Sequence, residues 1–172
     1  QGDGTEVITY ETASLLPDSI ELEIGDYYVE AHSDNNLPAA FENPYYYGVS
    51  GIFTISSNSQ QSVLVNCELA KTMVSVSYSE QVISTFSDYS TVVSSSLDSL
   101  VFQHNEARIG YFQTLPLDIE VNLVYLEADG TQVGKTLTGS IPDPLPNRHY
   151  EIYVDASVKG GLDSFMIHID TS

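Results

Sequence analysis

The chain has 172 residues and a formal net charge of −19, and residues 1–70 contain eleven acids with no lysine or arginine. Such acidity argues against nucleic acids and membrane surfaces as partners, because phosphate backbones and anionic headgroups are repelled. With 42% hydrophobic residues, recurring at strand spacing, the chain is also too apolar for a disordered protein and long enough to bury a core.

Alternating apolar and polar residues predict strands along the whole chain. The pattern appears at Ile20–Ile24, resumes at Tyr27–Ala31, and is clearest at Leu117–Glu127, which precedes an Asp129-Gly130 hairpin turn. Turn residues separate most of these runs. The patterns together predict strands at residues 6–11, 20–24, 26–33, 51–56, 61–69, 72–78, 89–95, 99–103, 117–127, 131–138, 149–157 and 164–170.

One short helix is predicted near residues 80–86, with Ser79 as its N-cap. No long helical pattern alternates with the strands, which argues against a parallel α/β sheet. We therefore predict an all-β fold, an antiparallel Greek-key β-sandwich with at most that one short helix. Residues 1–172 are taken as a single domain, with a second lobe from about residue 97 as the alternative.

Cys67 is the one cysteine of the chain, so no intrachain disulfide forms. It is in phase with the apolar residues Val63, Val65 and Leu69 of a predicted strand, and no basic residue flanks it. These features are typical of a buried structural thiol and not of a reactive one.

Three candidate metal ligands follow one another at strand spacing. Glu30, His32 and Asp34 are two residues apart, so a continuous strand would place all three on one face. Oxygen and nitrogen ligands of this kind suit a divalent cation such as calcium. The alternative is a wet strand face that runs into a polar loop. We expect no resident cofactor, and calcium is the one candidate ion.

The segment Phe41–Gly48 holds three consecutive tyrosines, Tyr45, Tyr46 and Tyr47, between Pro44 and Gly48. The proline and glycine indicate a loop or loop edge, where tyrosine rings stack on sugars or grip a protein partner. The tyrosines are therefore the candidate ligand-binding residues. The alternative is structural, with one or two of the rings filling the open end of the sandwich.

The chain offers little material for catalysis. It has no Gly-x-Ser-x-Gly motif, no Gly-x-Gly-x-x-Gly motif, no phosphate-binding Gly-Lys-Ser/Thr loop and no cysteine cluster. With 24 acidic residues, many pairs of neighbouring carboxylates occur by chance. The spacing of acids along the sequence therefore does not identify the catalytic carboxylate pair of a glycosidase. We predict that the protein is not an enzyme. The sequence also contains no apolar run long enough for a membrane helix.

Short patterns along nearly the whole chain carry a family resemblance. They are Leu22-x-x-Gly25-x-Tyr27-x-Val29-x-Ala31, Phe41-x-x-Pro44-Tyr45-x-x-Gly48, Phe53-Thr-Ile55, Val65-x-Cys67-x-Leu69-Ala70, Phe86-Ser-Asp-Tyr89 and Ile167-x-Ile169-Asp170. With them the chain resembles a family of uncharacterised exported lipoproteins, a domain of unknown function, of gut Bacteroidetes. More distantly it is similar to transthyretin-like sandwiches, including fimbrillin-type proteins.

The resemblance implies a location and a class of function. It implies an exported lipoprotein on the cell surface or outer membrane, with a lipid anchor upstream of residue 1 and no catalytic residues. We expect a non-enzymatic domain for adhesion or for a fimbria-like surface assembly, whose edge strands near Thr5–Tyr10 or Phe165–Asp170 accept a partner strand. The alternative is a glycan-binding module for polysaccharide capture. For adhesion or surface assembly the expected partner is a surface protein, and for polysaccharide capture it is a glycan.

Overall fold

The computed structural model describes residues 4–156 and 165–172, and Phe165 by its backbone alone. A 3-10 turn covers Ala13–Leu15, and one short helix, α1, covers Glu80–Thr85. In chain order the described strands are β1 (Gly25–Tyr27), β2 (Glu30–His32), β3 (Ala39–Phe41), β4 (Tyr46–Val49), β5 (Phe53–Ile55), β6 (Glu68–Leu69), β7 (Lys71–Tyr78), β8 (Asp88–Ser94), β9 (Ser99–Gln103), β10 (Gly110–Gln113), β11 (Leu117–Leu126), β12 (Gln132–Ile141), β13 (His149–Ala156) and β14 (Phe165–Thr171).

The chain divides into two compact units. Unit 1 comprises Gln1–Ser33 and Tyr46–Glu68, and unit 2 comprises Asp34–Tyr45 and Leu69–Ser172. Their boundaries lie well before residue 97, where the alternative interpretation began a second lobe. That the whole chain acts as a single domain stays a prediction.

Unit 2 is a β-sandwich of two sheets. Their strand orders are β14-β13-β7-β10-β3 and β12-β11-β8-β9. Neighbouring strands are often far apart in sequence, so the chain crosses repeatedly between the sheets, as in Greek-key folds. In the part of unit 2 that the structure describes, the strand pairs are antiparallel except β7 with β13, which is parallel. The predicted all-β, mainly antiparallel sandwich is confirmed.

One hydrophobic core fills the space between the two sheets. The five-stranded sheet contributes residues such as Val74 and Ile152, and the four-stranded sheet contributes residues such as Phe102 and Val121, all of them fully buried. In β11 the buried and exposed residues alternate, as the predicted amphipathic strand requires. Burial of one face of each strand against the other sheet therefore stabilises these strands.

Two local predictions in unit 2 are confirmed. Helix α1 begins after Ser79, whose Oγ accepts a hydrogen bond of 3.3 Å from the Val82 N–H. The hairpin between β11 and β12 turns at Asp129-Gly130, where Gly130 has φ of +87° and the Asp129 carboxylate accepts from the Thr131 N–H at 2.9 Å.

Unit 1 contains short strands and few buried side chains. Strands β1 and β5 pair antiparallel, and so do β2 and β4. Among the described residues of unit 1, Tyr27 is the one large side chain that is buried, against the ring of Phe53 at 6.1 Å between centroids. Ile24 and Leu64 are strongly exposed. Unit 1 thus has little core of its own.

Several predicted strands of unit 1 are wrong. Residues 6–11 and 20–24 form no strand, the predicted strand 26–33 is broken into β1 and β2, and the run 61–69 is reduced to β6. In these segments no layer of structure lies opposite the apolar side chains to bury them, so the alternating pattern does not produce strands. The outer ends of the predicted strands 149–157 and 164–170, residues 157 and 164, lie outside the described residues.

The prediction of a buried thiol is also wrong. Cys67 is exposed, and its Sγ lies 3.6 Å from the Ala31 carbonyl oxygen. Of the apolar residues in phase with it, Val63 is exposed, Val65 is half-buried and Leu69 is buried. The segment before Glu68 belongs to no strand, so the alternating pattern does not hold Cys67 against a core.

Candidate functional site

The outer edge of β14 is the unpaired end of the five-stranded sheet in the part of the chain that the structure describes. His149 and Ser172 exchange both backbone hydrogen bonds, at 3.1 and 3.0 Å. In an antiparallel pair of strands, directly opposite residues alternate between pairs that exchange backbone hydrogen bonds and pairs that do not. Every second residue before Ser172 therefore makes its backbone hydrogen bonds to β13. The residues between them, including Ile167 and Ile169, direct their N–H and C=O groups away from the sheet. These outward groups are the open edge of β14.

The open edge of β14 lacks the features that usually protect a sheet edge. The strand contains no proline, glycine or lysine, and the Ile169 side chain is 38% exposed. Strand β12, the corresponding edge of the four-stranded sheet, contains Gly134, Lys135 and Gly139. The edges at the other side, β3 and β9, have only three and five residues. β14 is therefore the edge best suited to accept another strand.

The outward face of β13 and β14 carries polar and aromatic side chains. Glu151 is directly opposite Asp170, and Tyr153 is directly opposite His168, whose ring centroid lies 6.4 Å away. His149 Nε2 lies 2.9 Å from a serine Oγ of β7, and His149 Nδ1 lies 3.7 Å from Glu151 Oε1. Histidines, carboxylates and a tyrosine thus stand beside the open edge.

The structure decides between the two predicted edge segments. Phe165–Asp170 lies in β14 and forms a sheet edge, as predicted. Thr5–Tyr10 forms no strand, so that prediction is wrong. The difference follows from packing: the Ile167 side chain packs against the core of unit 2, whereas Val7 and Ile8 are exposed.

The three tyrosines predicted to bind a ligand have different surroundings. Tyr45 belongs to unit 2 and is half-buried, with Lys71 Nζ 5.9 Å from its ring centroid. Tyr46 and Tyr47 lie in β4, not in a loop, and are 45% and 39% exposed. As neighbours in a strand they point to opposite faces. The Tyr47 hydroxyl donates to Glu30 Oε1 at 3.3 Å. Ligand binding by these residues stays a prediction.

The three predicted metal ligands also differ in position. Glu30 and His32 lie in β2 and are exposed, whereas Asp34 follows the strand and belongs to unit 2. His32 Nδ1 lies 3.1 Å from the Ser33 carbonyl oxygen. Within the described ranges no three histidine, cysteine or acidic side chains are grouped so that they could hold a metal ion. Calcium binding stays a prediction without a formed site.

Comparison with known protein families assigns the chain to one of them. A family model described as a domain of unknown function (DUF4493) matches residues 2–172. The chain belongs to this family. No curated protein matches the DUF4493 chain, and neither does any solved structure. In the residues that the structure describes, no helix is both long and apolar enough to cross a membrane.

Sequence patterns missed one unusual residue of this DUF4493 chain. Lys71, the first residue of β7, is only 1% exposed, and its ammonium group donates to the Leu37 carbonyl oxygen. Burial lowers the pKa of Lys71, because removal from water disfavours the charged ammonium. The signal in the sequence is that Lys71 is the first basic residue of an acidic chain and opens a run of strand residues.

Proposed function

We propose that this chain is a non-enzymatic domain of an exported surface lipoprotein, which acts in adhesion or as a component of a fimbria-like surface assembly. The open edge of β14 carries the proposal, because unpaired backbone groups beside exposed apolar side chains form a template for strand addition. In this proposal the protein comes from a gut Bacteroidetes bacterium and is held at the outer membrane by a lipid anchor. The family resemblance supports that location.

The proposal predicts that a proline at the open edge abolishes partner binding. The Ile169 N–H points away from β13, so Ile169→Pro removes no hydrogen bond of the sheet but blocks an added strand. We expect cells that carry Ile169→Pro to lose surface assembly and adhesion about ten-fold or more, with the free energy of unfolding of the domain lowered by about 1 kcal/mol. Adhesion assays and purification of surface complexes measure the effect.

Two further variants separate the backbone from the side chain. Ile169→Ala keeps the outward N–H, so it should retain most of the assembly that Ile169→Pro loses. Ile169→Lys keeps the N–H but adds a charge of the kind that protects natural edges, so it should impair assembly without a proline. Normal adhesion by both the proline and the lysine variants would mean that the edge of β14 is not the site.

Glycan capture is a second candidate function, favoured by the exposure of Tyr46. Its ring lies on a strand surface where a sugar could stack, while its backbone is fixed by hydrogen bonds with Ser33, N to Oγ at 3.0 Å and O to N at 3.0 Å. On a glycan array we expect Tyr46→Ala to bind about ten-fold more weakly than the original protein and Tyr46→Phe to bind normally, because the ring carries the contact. An array without any bound glycan would contradict this function.

A further inference from the structure

A second copy of the same chain fits the open edge of β14. We propose that two copies pair antiparallel through their β14 strands and so join their five-stranded sheets. This inference rests on the proposed function, because it names the partner that the open edge takes. A two-fold axis perpendicular to the sheet makes the interface self-complementary, so each copy donates and accepts the same hydrogen bonds.

The outward backbone groups fix the register of this pairing. Only residues in phase with Ile167 and Ile169 can bond outward, and an antiparallel pair bonds where two such residues are opposite. With the axis at Ile169, the two Ile169 residues exchange both hydrogen bonds, and Ile167 bonds with Thr171 of the second copy. The exposed Ile169 side chains then meet beside the axis, where each covers the other.

The same register pairs opposite charges on the outward face. His168 of each copy stands directly opposite Asp170 of the other, at unbonded positions where side chains come closest. Within one copy, Asp170 is opposite Glu151, and two like charges in that position repel. His149 Nδ1 already lies 3.7 Å from Glu151 Oε1, and the second copy's His168 brings an imidazole to Asp170. Tyr153 is opposite His168, and Asp155 is diagonal to it.

The neighbouring register lacks this complementarity. With the axis at His168, the two His168 rings would face each other and Met166 would face Asp170 of the second copy. Backbone bonding in that register would extend to Phe165, but like groups would meet and no histidine would stand directly opposite a carboxylate. The His168–Asp170 pairing therefore selects the register with the axis at Ile169.

A disulfide trap tests both the dimer and its register. In a Cys67→Ser background, His168→Cys and Asp170→Cys are made as separate proteins of different tag size and mixed under mild oxidation. Unbonded opposite residues have Cα atoms about 4.5 Å apart, within the range of a disulfide, whereas diagonal residues are about 7–8 Å apart. We expect the mixed disulfide between the two proteins, with each protein alone cross-linking at least ten-fold less.

The mixed dimer is well suited to the test because one His168–Asp170 pair stays intact opposite the new disulfide. A disulfide between two copies of the His168→Cys protein would instead indicate the axis at His168 and overturn the proposed register. Ile169→Pro added to both proteins should abolish the mixed disulfide, and Ile169→Ala should not. A mixed disulfide that still forms in the Ile169→Pro proteins would indicate random collisions between molecules and not strand pairing. That result would overturn the proposal.

A charge exchange tests the pairing without cysteine. We expect His168→Asp to weaken the dimer by about ten-fold, since each pair then becomes two carboxylates that repel each other. The double variant His168→Asp with Asp170→His restores opposite charges and should restore the affinity. Sedimentation over a range of concentrations in about 0.15 M salt, which screens the net charge of −19, measures both.

The outcomes separate this inference from the proposed function. A chain that stays monomeric at every concentration, while Ile169→Pro still abolishes adhesion, would overturn the dimer and leave a different partner at the open edge. A dimer that Ile169→Pro dissociates without any loss of adhesion would support the pairing and contradict the adhesive function. Loss of both properties in the proline variant, with both retained in Ile169→Ala, supports the two proposals together.

Discussion

Replacement of Gly48 by alanine is expected to unfold the β2–β4 sheet of unit 1. A Cβ at Gly48 would lie 2.2 Å from the Asn66 carbonyl oxygen and 2.8 Å from the Asn66 carbonyl carbon. These are backbone atoms, so no rotamer change relieves the clash, and β4 and the segment at Asn66 must separate. Because unit 1 buries few side chains, little holds the sheet together once they do.

We expect Gly48→Ala to lower the free energy of unfolding of unit 1 by about 3 kcal/mol or more. Amide hydrogen exchange gives the local measurement: β2 and β4 should lose protection, while β11 in the core of unit 2 should keep it. Gly51→Ala is the matched control, because a Cβ there meets no atom within 4 Å. Equal protection in the two variants would contradict the close approach of Gly48 to Asn66.

Sequence patterns predicted unit 2 far better than unit 1, for a physical reason. In β11, alternation coincides with a sheet on one side and water on the other, so pattern and burial agree. The acidic run Ile20–Ile24 has an equally clear alternation but no opposing layer, and both of its ends are exposed. The short strands β3, β4 and β10 were missed because three or four residues hold too little periodicity to detect.

The candidate site was predictable only in part. The apolar pattern of β14 was enough to propose Phe165–Asp170 as an edge strand, and the structure confirms that position. Which backbone groups point outward depends on the His149–Ser172 hydrogen bonds, which no local pattern encodes. The pairs Glu151–Asp170 and Tyr153–His168 likewise depend on strand register. A shift of one residue would exchange every outward group with an inward one.

Lys71 gives the second large expected effect, a loss of stability that depends on side-chain volume more than on charge. Its ammonium group donates to the Leu37 carbonyl and lies over the Tyr45 ring, so it ties the segment 37–45 to β7. Lys71→Met keeps an unbranched side chain of similar length and removes a charge that is costly to bury. We expect it to be at least as stable as the original protein at neutral pH, and Lys71→Ala to be about 2–5 kcal/mol less stable than Lys71→Met.

The pH dependence of stability tests the charge directly. Burial lowers the pKa of Lys71 below its ordinary value of about 10.5. Between the two values the unfolded chain holds a proton that the folded protein has released, so stability rises with pH across this window and is flat below it. Tyr78 has the opposite effect: burial raises its pKa to about 12, so stability falls as the unfolded phenol ionises above about pH 10.

The contribution of Lys71 is isolated by subtraction, because Tyr78 is present in both the original protein and Lys71→Met. Chemical denaturation at successive pH values up to the alkaline range gives the difference in free energy of unfolding between them. That difference should move in favour of the original protein as the pH rises, and it should stop changing near the ordinary pKa of lysine. A difference that does not vary with pH would mean that the hydrogen bond to Leu37 offsets the loss of water around the Lys71 ammonium, so that folding leaves its pKa unchanged. In that case the bond to Leu37, and not burial of a charge, sets the contribution of this residue.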